Sequence, residues 1–384
     1  MKPGIIVGIP TYNESDSIAH VARQIDIGLQ QAFEVSLCLI VNIDSDSEDD
    51  TKDVFLNTKT ICPKEYINTG SNPRGKGKNL LRLFQLCKEL DAECVATIDG
   101  DITTVTPEWP LLLLKPLLDN GFDYTVPIYK RNRFEGNTTN HFAFPLLYGV
   151  LGADIRQPIG GEFGVSRCLC EYLLEQKVIG ATLQYGIDIF MTCHAAGGGF
   201  RISEAFLGRK FHKPSFPKIA PMFAQVAASG LQAVIGYMGN SLKVEIRKQN
   251  AAVRSGIDEI SKPPSQEKKL ILLQEMRGKF FANQTKNYKH FGAYSEEVAA
   301  ELQEQTPNIS ADLWTNILAA CVQNCFEQKS SESEFNILEL VEALTPIFLW
   351  RVETFAQQAV SLNPAEIEKI IREQAELFQI KLQK

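Results

Sequence analysis

A chain of 384 residues, 44% hydrophobic and 22% charged, has the composition of an ordinary soluble globular protein and is long enough for two domains, or for one large domain with an appendage. Its net charge of -7 leaves no excess of Lys and Arg to neutralise phosphates, which argues against nucleic acid as a main partner. No uninterrupted apolar run reaches membrane-spanning length, and Met1 to Val7 passes straight into a strand pattern without the apolar core of a signal peptide.

Gly4 to Ile9 reads as a buried strand stopped by Pro10, and the loop Pro10 to Ser15 feeds a helix over about Ser17 to Gln31. Val35 to Ile43 is a second apolar strand. It ends in the acidic loop Asp44-Ser45-Asp46-Ser47-Glu48-Asp49-Asp50-Thr51, where Asp49 and Asp50 are expected to cap the next helix. A short strand near Tyr66-Ile67 leads through Arg74-Gly75-Lys76-Gly77-Lys78 into an amphipathic helix over about Asn79 to Glu89. The short, apolar run Cys94 to Ile98 then reads as a buried strand running into Asp99-Gly100-Asp101. Strands alternating with helices at this spacing predict an α/β fold built from βαβ units, with a mostly parallel sheet.

Further on, Pro107 to Leu118 is expected to be helical with Pro116 ending or kinking it, and Asp123 to Pro127 to be a strand. Lys130 to Asn137 reads as a polar loop, apolar spacing returns from His141 to Leu151, and Gln157 to Gly164 is a glycine-rich turn. Helices near Arg167–Glu175 and Gly186–Ala195 precede a last strand at Phe200–Ser203. From about Met222 the spacing stays helical: Ser265–Phe281, Glu296–Glu304, Ala311–Glu327, Glu334–Leu349 (stopped or kinked by Pro346 near Leu344) and Pro364–Leu382. The expected division is therefore an α/β domain over 1–220 and an α-helical C-terminal region over 221–384. The nine cysteines are odd in number and lack framework or zinc-type spacing, which predicts reduced thiols in a cytoplasmic protein.

Ligands of open α/β sheets gather outside the carboxyl ends of the strands, and four loops are expected to meet there. Pro10 to Glu14 follows the first strand. Asp44 follows the second, where a carboxylate can accept hydrogen bonds from a base or ribose, or serve only a solvated, helix-capping loop. Arg74 to Lys78 combines glycines that allow close backbone approach with a Lys point charge for phosphate, without being a Walker A loop. Asp99-Gly100-Asp101 can hold a hard divalent cation that grips a diphosphate, or be a plain acidic turn. The combination of a cation site, a base-side acceptor and a flanking positive charge points to a metal-dependent nucleotide-diphosphate site.

These loops resemble the nucleotide-sugar half of GT-A glycosyltransferases. More narrowly, Gly75-Lys76-Gly77, Asp99-Gly100-Asp101-Ile102-Thr103, Gln157-Pro158-Ile159-Gly160-Gly161-Glu162, Tyr185-Gly186-Ile187-Asp188 and Gly208-Arg209-Lys210-Phe211-His212 resemble the mannosylglycerate synthase group and its glucosylglycerate and glucosyl-3-phosphoglycerate relatives, over about residues 4–215. The resemblance implies that Asp101 and His212 bind a divalent metal, Mg or Mn, with Asp99 supporting the nucleotide sugar. It implies that Pro10, Glu14, Asp44 and Lys76 line the nucleotide, and that Arg131 and Thr139 hold the acceptor's carboxylate. Gly160, Gly161 and Glu162 would face donor sugar and acceptor, with Asp188 beside the reacting centre. On the residues alone, His212 is also a surface histidine of a basic stretch, Asp188 a capping or ion-pair carboxylate, Arg133 an alternative to Arg131, and Gly160 and Gly161 a tight turn. Tyr12 and Lys78 depart from the group's pattern, which leaves GDP and UDP both open as the nucleotide.

The implied activity is transfer of glucose or mannose from a GDP- or UDP-hexose to D-glycerate, 3-phosphoglycerate or a similar small hydroxy acid, with retention of configuration. The alternatives are a polysaccharide or lipid acceptor, a sugar nucleotidyltransferase, and a non-catalytic nucleotide-sugar-binding protein. The helical end is expected to pack on the catalytic domain or to form a homo-oligomer interface.

Overall fold

The apolar run near the start of the chain forms β1 (Ile5–Thr11), buried along its whole length, in a computed structural model that describes residues 2–211, 218–239, 244–249, 251–254, 257–258, 266–329 and 336–383. There follow α1 (Ile18–Ala32), β2 (Cys38–Asp44), α2 (Thr51–Asn57), β3 (Lys64–Asn68), α3 (Lys76–Leu90), β4 (Cys94–Thr97), α4 (Glu108–Asn120) and β5 (Tyr124–Asn132). After α5 (Phe144–Leu151) come β6 (Phe163–Ser166), α6 (Arg167–Leu174), α7 (Ile187–Gly197), β7 (Ile202–Arg209) and α8 (Ile219–Val234). The short pieces β8 (Ile246–Arg247), α9 (Ala251–Arg254) and β9 (Ile257–Asp258) precede α10 (Gln266–Ala282), α11 (Gln284–Phe291), α12 (Tyr294–Gln303), α13 (Ala311–Lys329), α14 (Ile337–Ala359) and α15 (Pro364–Leu382).

The chain divides into two compact units, Met1–Lys130 with Ile155–Pro214 and Leu242–Arg254, and Arg131–Asp154 with Ser215–Ser241 and Ser255–Lys384. In the first, the strands run in the order β3-β2-β1-β4-β6-β5-β7-β8. All neighbours are parallel except β6, which is antiparallel to both β4 and β5. The expected mostly parallel α/β sheet is therefore present. The chain leaves β1 toward β2 and β3 on one side and returns to β4 on the other, so the switch of winding direction, where α/β sheets open a crevice, lies between β1 and β4.

Three prolines do not act as stops, and one of them, Pro116, lies inside α4, which runs on to Asn120. β1 continues through Pro10 because the β1–β4 ladder has already ended at Gly8–Thr97, so no ladder bond is asked of the Pro10 nitrogen. Pro346 lies inside α14, where Phe348 stacks on Phe223 with ring centroids 3.7 Å apart; packing of this kind offsets a lost helix bond worth about 3 kcal/mol. The end of the chain follows its local signals more closely. Asn363 and Glu366 form a capping box ahead of Pro364 in the first turn of α15.

All nine cysteines are free, and no described helix is long and apolar enough to cross a membrane. On α7, His194 is buried against Phe190, 4.4 Å between ring centroids, and burial depresses its pKa from 6.5 to about 4. A base whose folded pKa is depressed stabilises the fold above its unfolded pKa, and that stability is lost as pH falls. Urea unfolding is therefore expected to show stability falling between pH 6.5 and 4, by up to about 1.4 kcal/mol per unit. His194→Gln should flatten this slope; equal slopes in both proteins would remove His194 as the cause.

Candidate active site

Sheet direction gathers the site. β1 to β5 and β7 run one way and end at the same edge, while β6 runs the other way and therefore begins there, with Phe163 opposite Thr97. The segment Gly160-Gly161-Glu162 before β6 thus arrives beside Asp99, just beyond the end of β4. Lys210 follows the end of β7, Lys76 opens α3, and Asp188 lies in the first turn of α7.

These residues form one charge cluster around the buried Glu162, with Lys76, Asp99, Asp188 and Lys210 half-buried. Lys76 Nζ lies 2.7 Å from Asp99 Oδ1 and 3.5 Å from Asp188 Oδ1, and it donates to the Gly161 carbonyl at 3.0 Å. Lys210 Nζ donates to both oxygens of Glu162, at 2.9 and 2.7 Å, and to the Gly160 carbonyl at 2.8 Å; Asp99 Oδ2 is 3.6 Å away. The Tyr129 hydroxyl donates to Glu162, and Lys210 Nζ sits 5.5 Å from the centre of the Tyr129 ring.

Three carboxylates thus share two ammonium groups, and their proton affinities diverge accordingly. Burial works against the charge of Asp99, but Lys76 and Lys210 outweigh it and hold the carboxyl below its usual range. Glu162 is fully buried; burial raises its pKa to about 7 despite Lys210, with Asp99 adding to the rise. Burial also raises Asp188. Lys76 is desolvated, but Asp188, Asp99 and Glu162 overcompensate and push it above an ordinary lysine. Strongly perturbed proton affinities of this kind occur at functional sites and in structural ion-pair networks alike.

The glycines have separate local reasons. A Cβ on Gly160 would lie 2.0 Å from Pro127 Cγ, and Gly161 has φ +102 with Lys210 Nζ and Asp99 Oδ2 where a Cβ would go. Gly75 and Gly77 admit the backbone of 182–184, whose Gln184 and Leu183 carbonyls accept the Gly77 and Lys78 N–H groups at 3.1 and 3.0 Å. The close approach expected of the Arg74–Lys78 loop is thus made by another stretch of this chain, and Lys76 supplies the loop's charge. At Gly100 a Cβ would fall 2.6 Å from Thr11 Cγ2, while Gly100 donates to the Pro10 carbonyl at 3.3 Å and accepts from Ser17 Oγ at 2.7 Å. Gly100→Ala is expected to destabilise the protein by about 1–3 kcal/mol through this overpacking, read as a lowered urea midpoint. An unchanged midpoint would show that the β1–β4 crevice is slack.

Asp44 is fully buried. Its Oδ1 accepts from Thr11 Oγ1 (2.8 Å) and Ser47 Oγ (2.6 Å), and its Oδ2 from Ser47 N (2.7 Å) and the Tyr66 hydroxyl (3.0 Å), which fills the acceptor sites of one carboxylate. Of the two acids expected to cap α2, Asp50 occupies the cap position without a side-chain bond, and Asp49 accepts from Thr51 N and Ser15 N. Glu14 N donates to Thr51 Oγ1. Beside this loop Arg74 stacks on Tyr12, 4.5 Å from guanidinium carbon to ring centre, and pairs with Glu48 at 2.8 Å.

Asp101 is half-buried, and no described side chain pairs with it. The chain at Phe211 is tied to the turn just after Asp101: Thr103 N donates to the Phe211 carbonyl at 3.3 Å and Phe211 N to Thr104 Oγ1 at 3.0 Å. His212 itself lies outside the described residues. Tyr185 is 42% exposed, and its phenol, raised first by burial, also feels the charges of Asp99, Asp101 and Glu14.

Pro10, Glu14, Asp44, Lys76, Asp99, Asp101, Gly160, Gly161, Glu162 and Asp188 therefore all belong to the first unit, whereas Arg131 and Thr139 belong to the second. There Arg131, next to last in β5, is in register with Ile257 of β9, and Thr139 opens a buried π-helical turn, Thr139–Ala143. Arg133, the alternative to Arg131, donates to the Ala359 and Leu362 carbonyls at 2.9 and 3.0 Å at the end of α14. Sequence reasoning missed Lys210 and Tyr129 as members of the cluster. Lys210 was visible only as one cation in a basic run, and Tyr129 as one aromatic of an apolar strand.

Residues 6–170, a little under half of the chain, match the family model of glycosyl transferase family 2. Among solved structures, glucosyl-3-phosphoglycerate synthase from Mycobacterium tuberculosis, in complex with Mn2+, uridine diphosphate and phosphoglyceric acid, is similar at 23% identity over 60% of this chain and 78% of that one, with a TM-score of 0.49. The same enzyme with Mg2+ and uridine diphosphate is similar at 23% identity over 60% and 79%, TM-score 0.49. No curated protein matches the sequence.

Proposed function

We propose that the protein transfers a hexose, glucose or mannose, from a GDP- or UDP-hexose to a small hydroxy acid such as D-glycerate or 3-phosphoglycerate, with retention of configuration. The observation that carries this reading is the ion cluster of Asp99, Glu162 and Asp188 with Lys76 and Lys210, next to an Asp101 carboxylate with no described partner. In the residue roles implied by resemblance, Pro10, Glu14 and Lys76 line the nucleotide. Asp44 acts through the loop it shapes, since its acceptor sites are filled within the protein. Gly160, Gly161 and Glu162 face donor sugar and acceptor, and Asp188 lies beside the reacting centre.

The donor set fits a metal carried by the substrate. Among the described residues no three metal-binding side chains gather, but Mg2+ is commonly held by one or two carboxylates together with substrate phosphates. Asp101 and His212 would hold Mg or Mn, which when bound neutralises charge building on the leaving diphosphate. Asp99, engaged by Lys76 and Lys210, orients those two cations. Arg131 and Thr139 would hold the acceptor carboxylate, an arrangement suited to a bidentate guanidinium.

Purified protein with Mg or Mn should form a glycoside from a GDP- or UDP-hexose and D-glycerate or 3-phosphoglycerate, releasing the nucleoside diphosphate. Release of pyrophosphate would mean nucleotidyl transfer. Turnover only with a polysaccharide or lipid would move the acceptor assignment.

A further inference from the structure

We infer that Gln374 of α15 is a positioning residue for acceptor binding: it sets the π-helical turn that carries Thr139, so the C-terminal helices govern acceptor affinity. This rests on the proposed function above and deepens it.

A π-helical turn is rare and, where it occurs, is frequently found at functional sites. Such a turn needs outside support because its backbone bonds are not those of a regular helix. In Thr139–Ala143 the support comes from the end of the chain. Gln374 is 1% exposed, and its Nε2 donates to the Asn140 carbonyl at 3.1 Å. Its Oε1 accepts from Arg351 Nε at 3.0 Å and faces His141 Nδ1 at 3.2 Å. Arg351 can only donate, which fixes the orientation of the Gln374 amide and requires His141 Nδ1 to carry the proton. One buried amide therefore ties two consecutive residues of the turn to α14 and α15.

The neighbouring contacts hold the same segment. Trp314 Nε1 of α13 donates to the His141 carbonyl at 2.7 Å, and the His141 ring stands edge-on to Phe355 with centroids 4.6 Å apart. Arg133 closes the last turn of α14 through the Ala359 and Leu362 carbonyls. Three helices thus share the task of shaping residues 133–141, and Gln374 and Arg133 each make three of the bonds.

The test compares wild type with Gln374→Leu, which keeps the volume and removes all three bonds, and Trp314→Phe, which removes the bond to the His141 carbonyl together with part of the buried indole. Steady-state kinetics are run with the donor and acceptor varied separately, together with hydrolysis of the donor in the absence of acceptor. The expected result is an acceptor KM raised about tenfold or more in Gln374→Leu and less in Trp314→Phe, with donor KM and donor hydrolysis unchanged. If Gln374→Leu does not fold, Trp314→Phe decides. Acceptor KM unchanged, or acceptor and donor KM rising together, overturns the inference while leaving the proposed function standing. Wild-type protein that uses no hydroxy acid overturns the reading beneath it.

Discussion

Asp101→Ala is expected to lower hexosyl transfer by about a thousandfold or more, because removing a group that holds charge stabilisation at a breaking bond commonly costs that much. The same substitution should leave the unfolding free energy within about 0.5 kcal/mol, since the side chain is half-buried and no described group pairs with it. This pairing of a large kinetic loss with an intact fold separates a metal-holding role from a structural one. A variant that unfolds earlier and keeps its specific activity would assign Asp101 to the turn instead. Nucleoside diphosphate release and urea unfolding, measured on one preparation, decide between them.

Lys210→Met should have the opposite signature in stability. Its ammonium contacts both oxygens of the fully buried Glu162, and removing one partner of a buried pair destabilises by about 3–5 kcal/mol. The loss should depend on pH. With its folded pKa raised to about 7, Glu162 contributes stability that is fully present below about 4.5 and declines as pH rises through 7. Without Lys210 the folded pKa rises further and the decline extends to higher pH. The gap between wild type and Lys210→Met in urea unfolding should therefore be wider at pH 8 than at pH 5. A gap independent of pH would mean that the loss is one of packing alone. Tyr129 and the Gly160 carbonyl stay in place in this variant, so Glu162 keeps a neutral donor, and Lys210→Arg should recover part of the loss.

Much of the sheet is legible in the sequence because its strands are short, continuous apolar runs between helices of strong periodicity. β6 was not, since Phe163–Ser166 is only four residues and follows a glycine-rich turn with no alternation of its own. That omission matters, because the reversed direction of β6 is what brings Glu162 to the edge where Asp99 and Lys210 lie. Pro10, Pro116 and Pro346 misled for a different reason. A proline stops an element only where its missing N–H is needed or where packing cannot offset the loss. The site divides in the same way. Asp99, Lys76, Glu162 and Asp188 stand in motifs and were nameable. Their common ion cluster depends on Lys210, which becomes visible only when β7 is seen to end beside β5. Asp44 shows the limit of a motif: its position is as expected, yet its hydrogen bonds run inward to Thr11, Ser47 and Tyr66.

The central claim is metal-assisted hexosyl transfer at the Asp99–Asp101 edge. It is tested most directly by nucleoside diphosphate release from a GDP- or UDP-hexose with D-glycerate or 3-phosphoglycerate, in protein stripped of divalent metal and again after adding Mg or Mn. The account predicts no release from the stripped protein and restored release on adding metal, with none from Asp101→Ala under either condition. Release that persists after complete removal of divalent metal would contradict it.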